Sequence, residues 1–233
     1  MRNCCESCRK DVCAKKVPIF AALNPCELID VVEKIVHKEF NKNDIIFSEG
    51  GEAKTLYFVN EGKIKLYKYT KDGKEQILHI LSEGEFFGEL NLLREAEYGF
   101  TAKAIENCKI CTLSKDELKE ILLEKPEISI KILEVMAQRI SGVENLAQNL
   151  ATNDIDARIA YLLMDLSYKY GKIEFNNINI DLPINREDMA NYIGVTRETI
   201  SRKLKKFEDD GLIKVVGTKK IIITDKNGLN DYI

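Results

Sequence analysis

The chain has 233 residues, 45% of them apolar and 31% charged, with a formal net charge of -3, enough for one large or two ordinary domains, each with its own core. No run approaches the roughly 18 uncharged apolar residues of a membrane span, and the N-terminus has no signal-peptide core, so the protein is expected to be cytoplasmic, without a membrane partner. The charge balance does not mark a nucleic-acid binder as a whole, so any basic surface must be local.

Residues 1–16 read as a cysteine-rich arm carrying Cys4, Cys5, Cys8 and Cys13. A reducing cytosol keeps thiols free, so seven cysteines point to metal or redox chemistry rather than to a disulfide framework. Residues 17–120 are expected to form an effector β-barrel domain. At its start Asn24 and Pro25 signal an N-cap and first turn, leading a helix from Cys26 to Val36 in which Cys26 is a small core residue.

From there to about Leu113, β-rich runs alternate with the turn signals Glu49-Gly50-Gly51, Asn60-Glu61-Gly62, Lys71-Asp72-Gly73-Lys74 and Ser82-Glu83-Gly84. This spacing predicts a small antiparallel barrel or sandwich. His37 and His79 read as simple strand residues. Cys108 and Cys111 lie near the end of this region, and strand residues three apart point to opposite faces, so the two are not expected to share one metal. One centre can gather Cys5, Cys8, Cys13 and Cys111, with Cys4 and Cys108 as reserves.

Ser114 caps a further helix, and Pro126 opens a longer one whose stripe Ile132, Met136, Ile140, Val143, Ala147 and Leu150 recurs at three- and four-residue steps. Residues 121–152 are accordingly expected to be the dimerisation helix of a homodimer. A hinge at 152–154 leads into residues 153–233, the winged helix-turn-helix domain, with a helix from Ile155 to Tyr170 and two short strands around Asn176-Asn177. Asn185 then caps a helix from Arg186 to Ile193, Gly194 turns, and Thr196 caps a second helix. Ile213 to Val216 pairs with Lys220 to Thr224. This is a helix-turn-helix followed by a wing.

On the second helix Ile200, Leu204 and Phe207 supply the apolar seat, while Arg197, Glu198, Ser201 and Arg202 present groups suited to base edges. Thr196, Thr199 and Lys203 complete the expected DNA-binding set. Lys203, Lys205 and Lys206 are expected to meet phosphates, which position without specifying.

The whole chain resembles the CRP/FNR family of bacterial regulators. Phe86-Phe87-Gly88-Glu89-Leu90-Asn91-Leu92-Leu93 is similar to the family's barrel signature, and Arg197-Glu198-Thr199-Ile200-Ser201-Arg202 to its recognition helix. The resemblance implies an α+β protein with a cyclic-nucleotide-binding-like antiparallel β-barrel, a long dimerisation helix and a winged helix-turn-helix. Its partners would be a second copy, a palindromic site on double-stranded DNA, and RNA polymerase. The places where cyclic-AMP members hold the phosphate fall at about Tyr98 and Gly99, neither a cation. The cysteines instead resemble those of the FNR branch, which implies a 4Fe-4S cluster on Cys5, Cys8, Cys13 and Cys111 that senses redox state, oxygen or nitric oxide. A small organic effector in the barrel, haem, and a thiol or zinc switch are the alternatives. No nucleotide-binding glycine loop, nucleophile elbow or paired metal histidines point to an enzyme.

Overall fold

The computed structural model describes residues 17–20, 23–89, 97–151, 154–175 and 177–233. The chain divides into two compact units, one of Met1–Lys68 and Leu78–Arg139 and the other of Tyr69–Ile77 and Ile140–Ile233.

The first unit opens with a short turn at Pro18–Phe20 and helix α1, Pro25–Lys34. Asn24 accepts the backbone N–H groups of Cys26 and Glu27 at 3.0 Å each, and the Glu27 carboxylate accepts the Asn24 N–H at 2.9 Å, so the helix start is closed reciprocally. The helix stops two residues before Val36, because Val36 already pairs with Thr112 in a β-ladder. Cys26 is exposed, which corrects its reading as a core residue.

Strands β1 Val36–Phe40, β8 Cys108–Ser114, β3 Thr55–Glu61 and β6 Phe86–Phe87 form one sheet in that spatial order. Strands β2 Ile45–Phe47, β7 Thr101–Ala104, β4 Ile64–Tyr69 and β5 Glu75–Leu81 form a second. Of the expected barrel or sandwich, the structure is an antiparallel sandwich of two open sheets. In β3 a continuous apolar run replaces alternation because both faces are covered. Leu56 and Phe58 join a core with Phe20, Leu28 and the helices, whereas Tyr57 and Val59 join the core between the sheets.

The hairpin joining β3 to β4 turns at Gly62, at φ 91°, where an added Cβ would lie 2.5 Å from the Asn107 carbonyl oxygen and 2.8 Å from Cys108 Sγ. Helix α2, Lys115–Glu124, carries a capping box of Ser114 and Glu117. Helix α3, Pro126–Ala151, follows after Lys125, so the expected dimerisation segment beginning at residue 121 spans the end of one helix and the start of another.

Besides Tyr69–Ile77 and the part of α3 from Ile140 onward, the second unit contains α4 Ile155–Tyr170, β9 Gly171–Glu174, β10 Asn177–Asp181, α5 Arg186–Ile193, α6 Arg197–Asp209, β11 Ile213–Val216, β12 Lys220–Ile223 and α7 Lys226–Asn230. Its sheet runs β11, β12, β10, β9. Gly194 ends α5 in the left-handed region at φ 80°, a conformation that glycine adopts without strain. No helix among the described residues is long and apolar enough to cross a membrane.

Phe58 is 1% exposed, with its ring 5.3 Å from that of Phe20. Phe58→Ala is expected to destabilise the fold by about 3–5 kcal/mol, read as a lower denaturation midpoint at unchanged slope.

Candidate functional site

Cys4, Cys5, Cys8 and Cys13 lie outside the described residues, as does the segment 90–96. Among the described residues no three His, Cys, Asp or Glu side chains converge on a metal position. Cys111 and Cys108 are both placed, and on opposite faces of β8. Cys111 packs on the outer face in one core with Val17, Ile19, Phe20 and Phe58, whereas Cys108 and Ile110 point between the sheets. Cys108 Sγ is turned to the carbonyl oxygens of Glu106 at 3.0 Å and Lys63 at 3.2 Å, and burial pushes its thiol pKa up. This position removes Cys108 from the face that carries Cys111.

The β-ladder sets His37 directly opposite Cys111, with Nδ1 3.3 Å from Sγ. His37 is thus more than a simple strand residue. Nothing in local sequence announces this contact, since it follows from a register between residues 74 positions apart.

The interior between the sheets is filled with aromatic rings. Tyr98, at the place expected to hold a cyclic phosphate, is buried and stacks on Phe47 at 3.7 Å, and Tyr57 stacks on Phe87 at 4.9 Å. The Tyr98 hydroxyl donates to the Thr55 carbonyl oxygen at 3.3 Å, and burial pushes its pKa upward.

Sequence reasoning missed one buried ion pair. Glu89, 4% exposed, receives Arg139 Nη1 on Oε1 at 2.6 Å, while Arg139 Nη2 donates to the Phe86 carbonyl oxygen. The guanidinium carbon lies 4.8 Å over the Phe86 ring. Glu89 Oε2 is buried without a hydrogen-bond partner among the described residues. Burial raises the Glu89 pKa, and Arg139 opposes that rise without cancelling it.

On α3 the structure redraws the expected interface. Ile132 is 7% exposed and belongs to the chain's own core, against which Met136 also packs. The exposed apolar side chains of this helix include Ile130, Leu133 and Ile140. Of the expected stripe, Ile140 is therefore exposed, and Ile132 and Met136 face inward. The side chains of Val143, Ala147 and Leu150 lie outside the described set.

In the second unit Ile200, Leu204 and Phe207 are buried, as their spacing predicts, and Arg197, Glu198, Ser201 and Arg202 are exposed. Thr196 caps α6 by accepting the Thr199 N–H at 3.3 Å, and the two threonine hydroxyls lie 3.1 Å apart. Ser201 Oγ donates to the Arg197 carbonyl oxygen at 3.1 Å. Lys203, Lys205 and Lys206 each meet a carboxylate of the chain. Lys203 Nζ lies 2.7 Å from Asp156 Oδ1, Lys206 Nζ 2.8 Å from Asp156 Oδ2, and Lys205 Nζ 2.9 Å from Asp209 Oδ1. Burial raises the Asp156 pKa, but hydrogen bonds from both lysines outweigh it and leave the carboxyl below its ordinary range.

Residues 37–125 match the cyclic nucleotide-binding domain family, and residues 157–232 match the Crp-like helix-turn-helix domain family. The chain is 30% identical over 229 residues to the Anaerobic regulatory protein of Haemophilus influenzae, covering 97% of this chain and 88% of that one. It is 27% identical over 211 residues to the CRP-like cAMP-activated global transcriptional regulator of Mycobacterium tuberculosis, covering 91% of this chain and 94% of that one. In fold it is similar to a mutant of CooA from Carboxydothermus hydrogenoformans, with a TM-score of 0.77 at 21% identity over 91% of this chain and 96% of that one.

Arg139→Ala leaves the Glu89 carboxylate buried without its cation and is expected to destabilise the first unit by about 3 kcal/mol at neutral pH. A raised pKa means that the folded state keeps its proton to higher pH than the unfolded chain. The stability due to Glu89 is then full below the ordinary carboxylate range and lost as pH rises through the folded value. Denaturation of the variant should show its deficit shrinking on acidification, as Glu89 protonates.

Proposed function

Because the chain belongs to the CRP/FNR family of transcription regulators, a family of DNA-binding proteins rather than enzymes, we propose that its DNA binding is governed by a 4Fe-4S cluster held by Cys5, Cys8, Cys13 and Cys111 and responsive to oxygen or nitric oxide. The observation that carries this reading is the placement of Cys111. Its thiol is buried on the outer face of β8, in the same core as Val17, four positions after Cys13 in the sequence. The donor set also fits, since four thiolates are what such a cluster takes. The family relative named for anaerobic regulation, similar over nearly the entire chain, supports the same direction.

When bound, the cluster supplies a redox-active, gas-reactive centre tied to the protein through sulfur. The protein's own part is to hold Cys111 rigidly. The ladders of β8 with β1 and β3 fix its backbone on both sides. Control by a cyclic nucleotide has less support, because Tyr98 stands where a phosphate-binding cation would be needed and packs on Phe47.

Two copies joined through the exposed side of α3, with Leu133 and Ile140 in the contact, would present two α6 helices to a palindromic site, and RNA polymerase would be the downstream partner. Arg197 and Arg202 are suited to guanine edges, and Glu198 to cytosine N4.

Arg202→Ala is expected to weaken binding to a selected duplex by about 1–3 kcal/mol and to relax preference at one base pair, with the fold intact by circular dichroism. Protein purified without oxygen is expected to contain about four iron and four sulfide per chain. Cys111→Ser should lose that iron and Cys108→Ser should keep it. Colourless, iron-free protein whose DNA affinity ignores oxygen and nitric oxide would overturn the cluster reading.

A further inference from the structure

We propose that Asp156 is a positioning residue for the base-reading helix, clamping Lys203 and Lys206 of α6 to the first turn of α4 and thereby withholding two cations from the DNA backbone. The proposal rests on DNA binding by the family and is independent of the cluster.

Asp154 caps α4 and accepts the Asp156 N–H at 2.8 Å, which sets where the Asp156 side chain leaves the helix. Its two oxygens then each take one ammonium group, Lys203 at 2.7 Å and Lys206 at 2.8 Å. Lysines three apart share one flank of a helix, so a single carboxylate reaches both. The Asp156 side chain is only 11% exposed, and that of Lys203 only 25%. Breaking such a pair leaves charge in a poorly solvated place, unlike the exposed pair of Lys205 with Asp209, whose side chains are 64% and 62% open and which DNA can displace at little cost. Lys206 is fixed from a second side: its ammonium lies 5.6 Å over the Tyr232 ring, which sits 5.1 Å from the buried Phe207 ring.

This arrangement divides the cations of α6 by task. Arg197 and Arg202 are exposed for base edges, where sequence is read, whereas the two clamped lysines would add phosphate attraction blind to sequence. Holding them back favours discrimination over bulk affinity, and the two short ion pairs fix the rotation of α6 about its axis.

The test is the salt dependence of full-length protein binding to a random-sequence duplex, followed by fluorescence anisotropy. Each phosphate contact adds about 0.9 to the slope of log affinity against log salt. Asp156→Asn is expected to bind the random duplex more tightly, with the slope steeper by about one to two, and to discriminate less well against it relative to a duplex selected by the unmodified protein. The double variant Lys203→Gln, Lys206→Gln, which keeps Asp156, is expected to leave the slope near that of the unmodified protein, and combining it with Asp156→Asn should abolish the increase. A purely structural role for Asp156 would lower thermal stability without steepening the slope, and that result would overturn the proposal. A slope that falls by about one or more in the lysine double variant alone would also overturn it, by showing that these lysines already contact phosphate.

Discussion

Burial of β8 on both faces is the constraint around which the first unit is arranged. A strand with a single buried face can leave its alternate residues to solvent. Here Cys108 and Ile110 fill the space between the sheets, and Cys111 and Leu113 pack beneath α1 and the segment before it. The two-residue repeat of the strand therefore assigns its two thiols to different environments. One becomes a buried group turned to the β3–β4 hairpin, next to the glycine turn at Gly62 that tolerates no Cβ. The other lies on the side served by the chain that follows the cysteine arm. A register slip of one residue would exchange these faces and dismantle both cores at once.

Charge is treated in the same way in each unit, by anchoring a nearly buried carboxylate to cations on another helix. Glu89 takes Arg139 from α3, and Asp156 takes Lys203 and Lys206 from α6. The balance differs between them. With one guanidinium, burial still dominates Glu89 and its pKa rises; with two ammonium groups, Asp156 falls below its ordinary value. The sign follows the balance of burial, which favours the neutral form and weighs more heavily on Glu89, against the cations and hydrogen bonds that favour the charged form.

Elements specified by local chemistry were legible from sequence. The Asn24, Ser114, Asn185 and Thr196 caps each satisfy the first backbone donors of their helices, and Gly194 takes the left-handed turn between the two short helices. The seat of Ile200, Leu204 and Phe207 follows from periodicity alone. Features that depend on what a residue meets across space were not legible. Ile132 and Ile140 occupy the same apolar repeat, yet the first faces its own sheet and the second faces solvent, because the helix is apolar on more than one side. His37 meets Cys111 through strand register, and Lys203 and Lys206 of α6 meet an acid some fifty residues earlier in the chain. Alternation left barrel and sandwich both open, since it reports which residues face inward but not how strands close, and the structure is the sandwich.

The packing also gives the proposed sensor a physical route to α3. Cys111 and Phe58 share one continuous core with Ile128 and Ile132 of α3, and Val135 and Met136 pack against it. Close-packed cores transmit displacement because they contain few voids to absorb it. A change in what Cys111 holds would therefore press on the inner side of the helix whose opposite side carries Ile130 and Leu133. Arg139 adds a second attachment on the same helix, through Glu89 and the Phe86 carbonyl. The inner side of α3 is thus fixed to the sheets by apolar packing and by one buried charge pair. Rotation of the helix would have to break both, and that requirement favours two discrete packings over continuous drift, as a switch between two states demands.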